Sequence, residues 1–152
     1  LRTFSKVYGL AGMRIGYGFA HETLIANLLK VKLPFEPSTL AQSAGIAALA
    51  DREFVHRTLE NNARGLRTLG DAFRELKLQV VPTEANFLML VFDTSDGAMA
   101  VANGLLREGV IVRPLRSFGL PQCLRISTGR SNENELCVDA MERVLKGLPE
   151  RR

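Results

Sequence analysis

The stretch Thr3-Phe4-Ser5-Lys6-Val7-Tyr8-Gly9-Leu10-Ala11-Gly12-Met13-Arg14-Ile15-Gly16-Tyr17-Gly18 sets the reading of the whole chain. A lysine stands at a strand end just after two hydroxyl residues, small residues follow, and an arginine comes eight positions later. A primary amine condenses with an aldehyde. Thr3, Ser5 and Arg14 offer hydroxyl and guanidinium donors suited to a phosphate, through charge-assisted and bidentate contacts. The plain alternative is an exposed lysine with Arg14 as a surface ion-pair partner, since charged residues mostly face water. The glycines weigh against it, because a merely solvated turn has little use for so much backbone freedom.

Working outward, Leu1 to Phe4 reads as the end of a strand and residues 14–20 as a second strand with close backbone approaches. Residues 22–30 form a short helix. Leu33-Pro34-Phe35-Glu36-Pro37 cannot be helical and makes a rigid, extended crossing. Ser38 caps a small-residue helix over 39–50. Asp51 caps the longest helix, to about Lys77, with Val55, Leu59, Ala63, Leu66, Leu69, Phe73 and Leu76 at a period near 3.6.

Beyond it the pattern shifts. Strands are predicted at 78–81 and 85–92, a helix at 96–107, strands at 110–114 and 124–128, and a helix capped by Ser131 running to about Leu148. That β-β-α-β-β-α order implies a two-layer lobe, with helices on one face of a small sheet. The expected fold class is therefore α/β, with an α+β lobe at the C-terminal side. The expected organisation is residues 1–50 as the end of a large domain, 51–77 as a connecting helix and 78–152 as a small domain.

Composition narrows the function classes. The chain has 152 residues, 46% hydrophobic and 24% charged, which suits a packed soluble core and argues against disorder. No apolar run approaches the roughly 18–20 residues that span a bilayer. The net charge of +4 is scattered, without the basic stripe or motif of a nucleic-acid surface. Cys123 and Cys137 lack metal-ligand spacing and form no disulfide framework, so they read as free thiols in a reducing cytoplasm, and no metal site is expected. The chain opens on Leu1-Arg2-Thr3 inside a patterned segment, and the expectation is a C-terminal portion of a longer gene product.

Aldehyde capture beside phosphate capture is what pyridoxal 5′-phosphate asks of a protein. The lysine segment resembles the signature of fold-type I pyridoxal-phosphate aminotransferases, and within them the histidinol-phosphate aminotransferases. Lys32-Leu33-Pro34-Phe35-Glu36-Pro37-Ser38, Glu84-Ala85-Asn86-Phe87, Gly109-Val110-Ile111-Val112-Arg113-Pro114 and Cys123-Leu124-Arg125-Ile126-Ser127-Thr128-Gly129 resemble further landmarks in the same order. The resemblance implies that Lys6 holds the cofactor as a Schiff base and carries a proton to and from the substrate. It implies that Thr3, Ser5 and Arg14 take the cofactor phosphate and that Arg125 clamps the substrate carboxylate. Arg113 would read the substrate's distal phosphate, with a structural ion pair as its alternative. Asn86 would approach the carboxylate, or equally serve as a buried amide satisfying backbone. Tyr8 and Tyr17 line the pocket or pack; His21 and His56 receive no catalytic role.

The implied reaction moves an amino group between histidinol phosphate and 2-oxoglutarate in histidine biosynthesis, in a cytoplasmic homodimer whose partners are small molecules. An aromatic-amino-acid aminotransferase and a threonine-phosphate decarboxylase would carry a similar segment. Outside enzymes, an aminotransferase-like effector domain of a transcription regulator and an inert structural remnant are the competing classes. The family's ring-nitrogen aspartate and ring-stacking aromatic lie upstream of the lysine, where this chain has five residues. The chain alone is therefore expected not to transaminate.

Overall fold

The computed structural model describes residues 1–148. Contacts divide the chain into two units, Leu1–Glu60 and Asn61–Arg152, with the division inside the longest helix.

In the first unit, β1 (Arg2–Thr3) pairs antiparallel with β2 (Gly16–Tyr17), Arg2 opposite Tyr17 and Thr3 opposite Gly16. The Phe4 amide extends the pairing by donating to the Ile15 carbonyl at 3.2 Å. The strand expected over 14–20 is thus only two residues long. Its partner β1 offers no more, and Arg14 leaves the ladder in the left-handed region at φ 52°. Helix α1 (Glu22–Val31) starts at His21, whose Nδ1 accepts from the Thr23 amide. Helix α2 (Thr39–Ala50) starts at Ser38, whose hydroxyl accepts from the Ala41 amide at 3.2 Å, as the capping pattern predicts. Phe4 and Ala41 are the buried apolar residues of this unit, while Phe19, Phe35, Leu40 and Ile46 are exposed.

Helix α3 (Arg52–Glu75) is capped by Asp51, whose Oδ1 accepts from the Phe54 amide at 2.9 Å. Its predicted stripe holds only toward the C-terminal end: Leu69 and Phe73 are buried, whereas Leu59 and Ala63 are exposed. Gly65 and Gly70 join the buried face instead.

The second unit is a four-stranded antiparallel sheet in the order β3 (Gln79–Val81), β4 (Phe87–Val91), β6 (Cys123–Ser127), β5 (Arg113–Pro114). Leu88 opposes Ile126 and Leu90 opposes Leu124, and these four form one apolar face. They pack with Leu69 and Phe73 of α3, Ala98, Val101 and Leu105 of α4 (Ser95–Arg107), and Ala140 and Met141 of α5 (Ser131–Gly147). Alternation then sends Met89, Arg113 and Arg125 to the opposite face. This is the expected two-layer lobe, with shorter strands.

The shortening has local causes. The Val110 amide is taken by the Leu105 carbonyl at 2.8 Å, closing the end of α4, so β5 begins only at Arg113. The Leu78 amide closes the end of α3 on Phe73, and the Ala85 amide turns back onto Thr83 Oγ1. The last helix is capped one residue earlier than expected: the Arg130 amide donates to Glu133 Oε2 at 2.7 Å, and Ser131 lies inside the first turn. Leu148, the expected helix end, is its C-cap.

Candidate functional site

Lys6 sits in a tight turn after β1. The Gly9 amide donates to the Lys6 carbonyl and the Leu10 amide to the Phe4 carbonyl, both at 2.9 Å. Gly9 takes φ +69°, the conformation for which glycine is suited. Buried Phe4 anchors the turn, with Tyr8 at 4.8 Å and Tyr17 at 5.9 Å between ring centroids. Both tyrosines therefore pack on Phe4. The Lys6 side chain is exposed, and Ser5 next to it is half-buried.

The other candidates of this segment gather around that turn. Thr3 Oγ1 accepts from the Ser5 amide at 3.0 Å, which holds the two hydroxyl residues together. Arg14 closes the short 3-10 turn Ala11–Met13 and donates from Nη1 to the Ala11 carbonyl at 2.7 Å. That bond uses one of five guanidinium N–H groups. The β1–β2 pairing and the Phe4–Ile15 bond bring the chain back to Phe4 one residue after Arg14. The pairing depends on Gly16, where a Cβ would stand 2.7 Å from the Arg2 carbonyl oxygen. One exposed amine, two hydroxyls and an arginine thus share one loop, a donor set that fits an aldehyde and a phosphate on one small molecule.

In the second unit, Arg125 lies on β6 and Arg113 directly opposite it on β5. Directly opposed residues point to the same face, and both arginines line a cleft of about 350 Å³ beside the start of α5. Arg125 is half-buried, its guanidinium 5.2 Å over the Phe87 ring, and its Nε is buried without a hydrogen-bond partner among the described residues. Arg113 is exposed and lies 5.9 Å over Phe118. Neither arginine forms an ion pair among the described residues; the one carboxylate bordering the cleft, Glu133, accepts from the Arg130 amide. The expected alternative of a structural ion pair for Arg113 is not found among the described residues.

Asn86 is not among the residues of that cleft. It precedes β4, is exposed, and contributes its carbonyl, which accepts from the Thr128 amide at 3.1 Å. A buried amide is therefore not its role. Arg116 is exposed in a short 3-10 turn. Three residues given no site role by the sequence frame the same region: Glu133, Asn134 and Cys137 of α5 all border the cleft. Burial pushes the Cys137 thiol up to about 11. No cluster of metal-ligating side chains occurs, and no helix is long and apolar enough to cross a membrane, among the described residues.

With this fold and these two clusters described, comparison with known proteins defines the class. The family model for aminotransferase class I and II matches residues 1–141, and the chain belongs to that family. Among curated relatives, histidinol-phosphate aminotransferase 2 of Ralstonia nicotianae is 50% identical over 145 residues, 95% of this chain and 39% of the relative. Histidinol-phosphate aminotransferase of Akkermansia muciniphila is 46% identical over 145 residues, with the same coverage. The crystal structure of histidinol-phosphate aminotransferase from Sinorhizobium meliloti in complex with pyridoxal-5′-phosphate matches with a TM-score of 0.87 at 30% identity, covering 97% of this chain and 41% of that one. The chain thus spans about two fifths of the relatives it matches, and the fold is that of the fold-type I aminotransferases.

Proposed function

We propose that this chain belongs to a pyridoxal-phosphate-dependent aminotransferase that moves an amino group between histidinol phosphate and 2-oxoglutarate. The observation that carries the reading is the opposed pair Arg113 and Arg125, two cations on one sheet face at one cleft. Such a pair suits a dianionic phosphate or a carboxylate through planar, bidentate contacts. In histidinol phosphate the phosphate ester hangs from the carbon beside the amine-bearing one, where an amino acid has its carboxylate. One arginine pair therefore serves both halves of the exchange.

The loop around Lys6 would hold the cofactor. Its phosphate falls to Thr3, Ser5 and Arg14, and Lys6 attaches at its aldehyde. When bound, pyridoxal phosphate supplies a conjugated ring that accepts electrons from the substrate's Cα–H bond. The Lys6 amine, freed when the substrate amine displaces it from that aldehyde, would take the proton from the substrate α-carbon as a general base and return it as an acid. Asn86, just before β4, would approach the substrate anion, as the resemblance implies. A homodimer in the cytoplasm is part of the same proposal, supported by the resemblance of the whole segment to that family.

The reading is tested on the intact protein. Borohydride reduction in the presence of pyridoxal phosphate, followed by peptide mapping, should place the label on Lys6. Amino transfer from histidinol phosphate to 2-oxoglutarate should exceed transfer from aromatic amino acids. A label on another lysine, or the reverse preference, overturns the assignment.

A further inference from the structure

Among the described residues one polar side chain is buried, Asn134 on α5, which is 4% exposed. Burying an amide without partners costs about 1–3 kcal/mol. Asn134 meets that demand by gripping both backbone polar groups of a single residue, Gly129. Its Oδ1 accepts from the Gly129 amide at 2.8 Å, and its Nδ2 donates to the Gly129 carbonyl at 3.2 Å. Asn61 of α3 donates to the same carbonyl at 3.1 Å, so both of its lone pairs are engaged.

Asn62, the next residue of α3, does the parallel work one peptide away. Its Oδ1 accepts from the Thr128 hydroxyl at 2.8 Å, and its Nδ2 donates to the Ala85 carbonyl at 3.1 Å. The Thr128 amide closes the set by donating to the Asn86 carbonyl. Three asparagines from two helices thus lash the exit of β6 to the entrance of β4. The approach needs Gly65, where a Cβ would stand 2.9 Å from Asn134 Nδ2 and 3.2 Å from Thr128 Cβ.

The lashed segments flank Arg125 and Asn86, two of the three substrate candidates of this unit. Arg125 lies three residues before Thr128, and its guanidinium rests over Phe87, the neighbour of Asn86. Its buried Nε makes no hydrogen bond among the described residues, so its aim is set by the strand that carries it and the ring beneath it. Both are held by the asparagines. We propose that Asn134, with Asn61 and Asn62, is a positioning group that fixes Arg125 and Asn86 for the substrate anion without touching it. This rests on the reading of Arg125 as the anion-binding residue.

Displacements of about 1 Å at a binding group cost large factors in productive binding. The test uses the intact protein and 2-oxoglutarate as the probe. Asn134→Asp keeps the acceptor for the Gly129 amide but sets a carboxylate oxygen against the Gly129 carbonyl. The dissociation constant measured by calorimetry should rise about tenfold, equivalent to about 1.4 kcal/mol. In turnover the loss should fall on KM more than on kcat. Combining the change with Arg125→Lys should cost less than the sum of the single effects, because both act through one guanidinium. If Asn134→Asp does not fold, Asn62→Ala, on the half-buried side of α3, gives the same reading. A fall in Tm with unchanged binding constant and KM overturns the proposal and leaves the cluster a purely structural staple. Wild-type protein that binds 2-oxoglutarate but transfers no amino group refutes the proposed reaction, while the binding constants still decide the role of Asn134.

Discussion

Arg113 and Arg125 face each other across the β5–β6 ladder as a directly opposed pair. Like charges in that position repel, and neither arginine forms an ion pair among the described residues, Glu133 at the same cleft being engaged by the Arg130 amide. The arrangement costs stability unless an anion occupies the cleft. Ligand binding to the folded state alone raises its stability by mass action. Two opposite effects should therefore meet in Arg113→Gln. In anion-free, low-salt buffer the intact variant should melt at a higher temperature than the wild type, and added inorganic phosphate should raise its Tm less. Equal phosphate responses would show that the pair is not an anion site. Arg125→Lys loses the planar fork and should weaken binding of anionic substrates by about 10- to 100-fold, the worth of one charged hydrogen bond.

Gly104 of α4 sits against Val144 of α5, where a Cβ would lie 2.6 Å from Val144 Cγ1. Helix propensity alone would favour Gly104→Ala by about 1 kcal/mol. Val144, β-branched and on a helix, has little freedom at χ1 to move aside. Overpacking costs typically about 1–3 kcal/mol, so the substitution should destabilise by on the order of 1 kcal/mol. Adding Val144→Ala should remove most of that clash. Denaturant unfolding of the four proteins in the cycle measures the coupling, and a stabilised single variant would mean that α4 and α5 slide apart freely.

The contrast between α2 and β5 shows what could be read from residue order. Helix α2 came out with its cap and both ends as expected, because Ser38 and a run of small residues act through bonds three and four positions apart. Strand β5 did not, because the Val110 amide is claimed by Leu105, a competition that periodicity does not reveal. The upper stripe of α3 failed for a related reason: Leu59 has the spacing of a core residue but is 57% exposed. At the candidate site, Lys6, Arg14, Arg113 and Arg125 were nominated by the strings in which they stand, and the fold brings Arg113 and Arg125 to one cleft. Asn61, Asn62 and Asn134 were not nominated. An asparagine on a helix looks like a solvated residue until its partners, here 23 to 68 positions away for Asn61 and Asn62, are known. Gly129 could have pointed to Asn134, since the two lie in one short run after β6.

Lys77 follows α3 with φ +59°, a left-handed conformation in a non-glycine residue. Its amide and that of Leu78 close the helix on Arg74 and Phe73, at 2.9 Å each. A glycine adopts that geometry without the Cβ conflict that costs about 1 kcal/mol or more. Lys77→Gly should therefore stabilise the protein by roughly 0.5–1 kcal/mol, after the larger entropy of the unfolded chain is deducted. A higher denaturant midpoint with an unchanged m-value is the expected signature.

Cys137 offers a prediction in pH. It is 6% exposed on the inner side of α5, and burial raises its thiol from 9.0 to about 11. The folded protein therefore keeps a proton that the unfolded chain gives up near 9. A raised folded-state value means stability fully present below about pH 9 and lost as pH climbs through about 11. The slope across that window is about 1.4 kcal/mol per pH unit, so the loss amounts to roughly 2–3 kcal/mol. Cys137→Ala removes the titration, although the smaller side chain lowers stability at every pH. Denaturant midpoints at about pH 8 and about pH 10.5 should thus diverge more for the wild type than for the variant. The same protonation should make the thiol slow toward iodoacetamide at neutral pH in the folded state and fast after unfolding, because the thiolate is the nucleophile. Parallel pH profiles for the two proteins would show that Cys137 gains water as the pH rises and titrates like an exposed thiol.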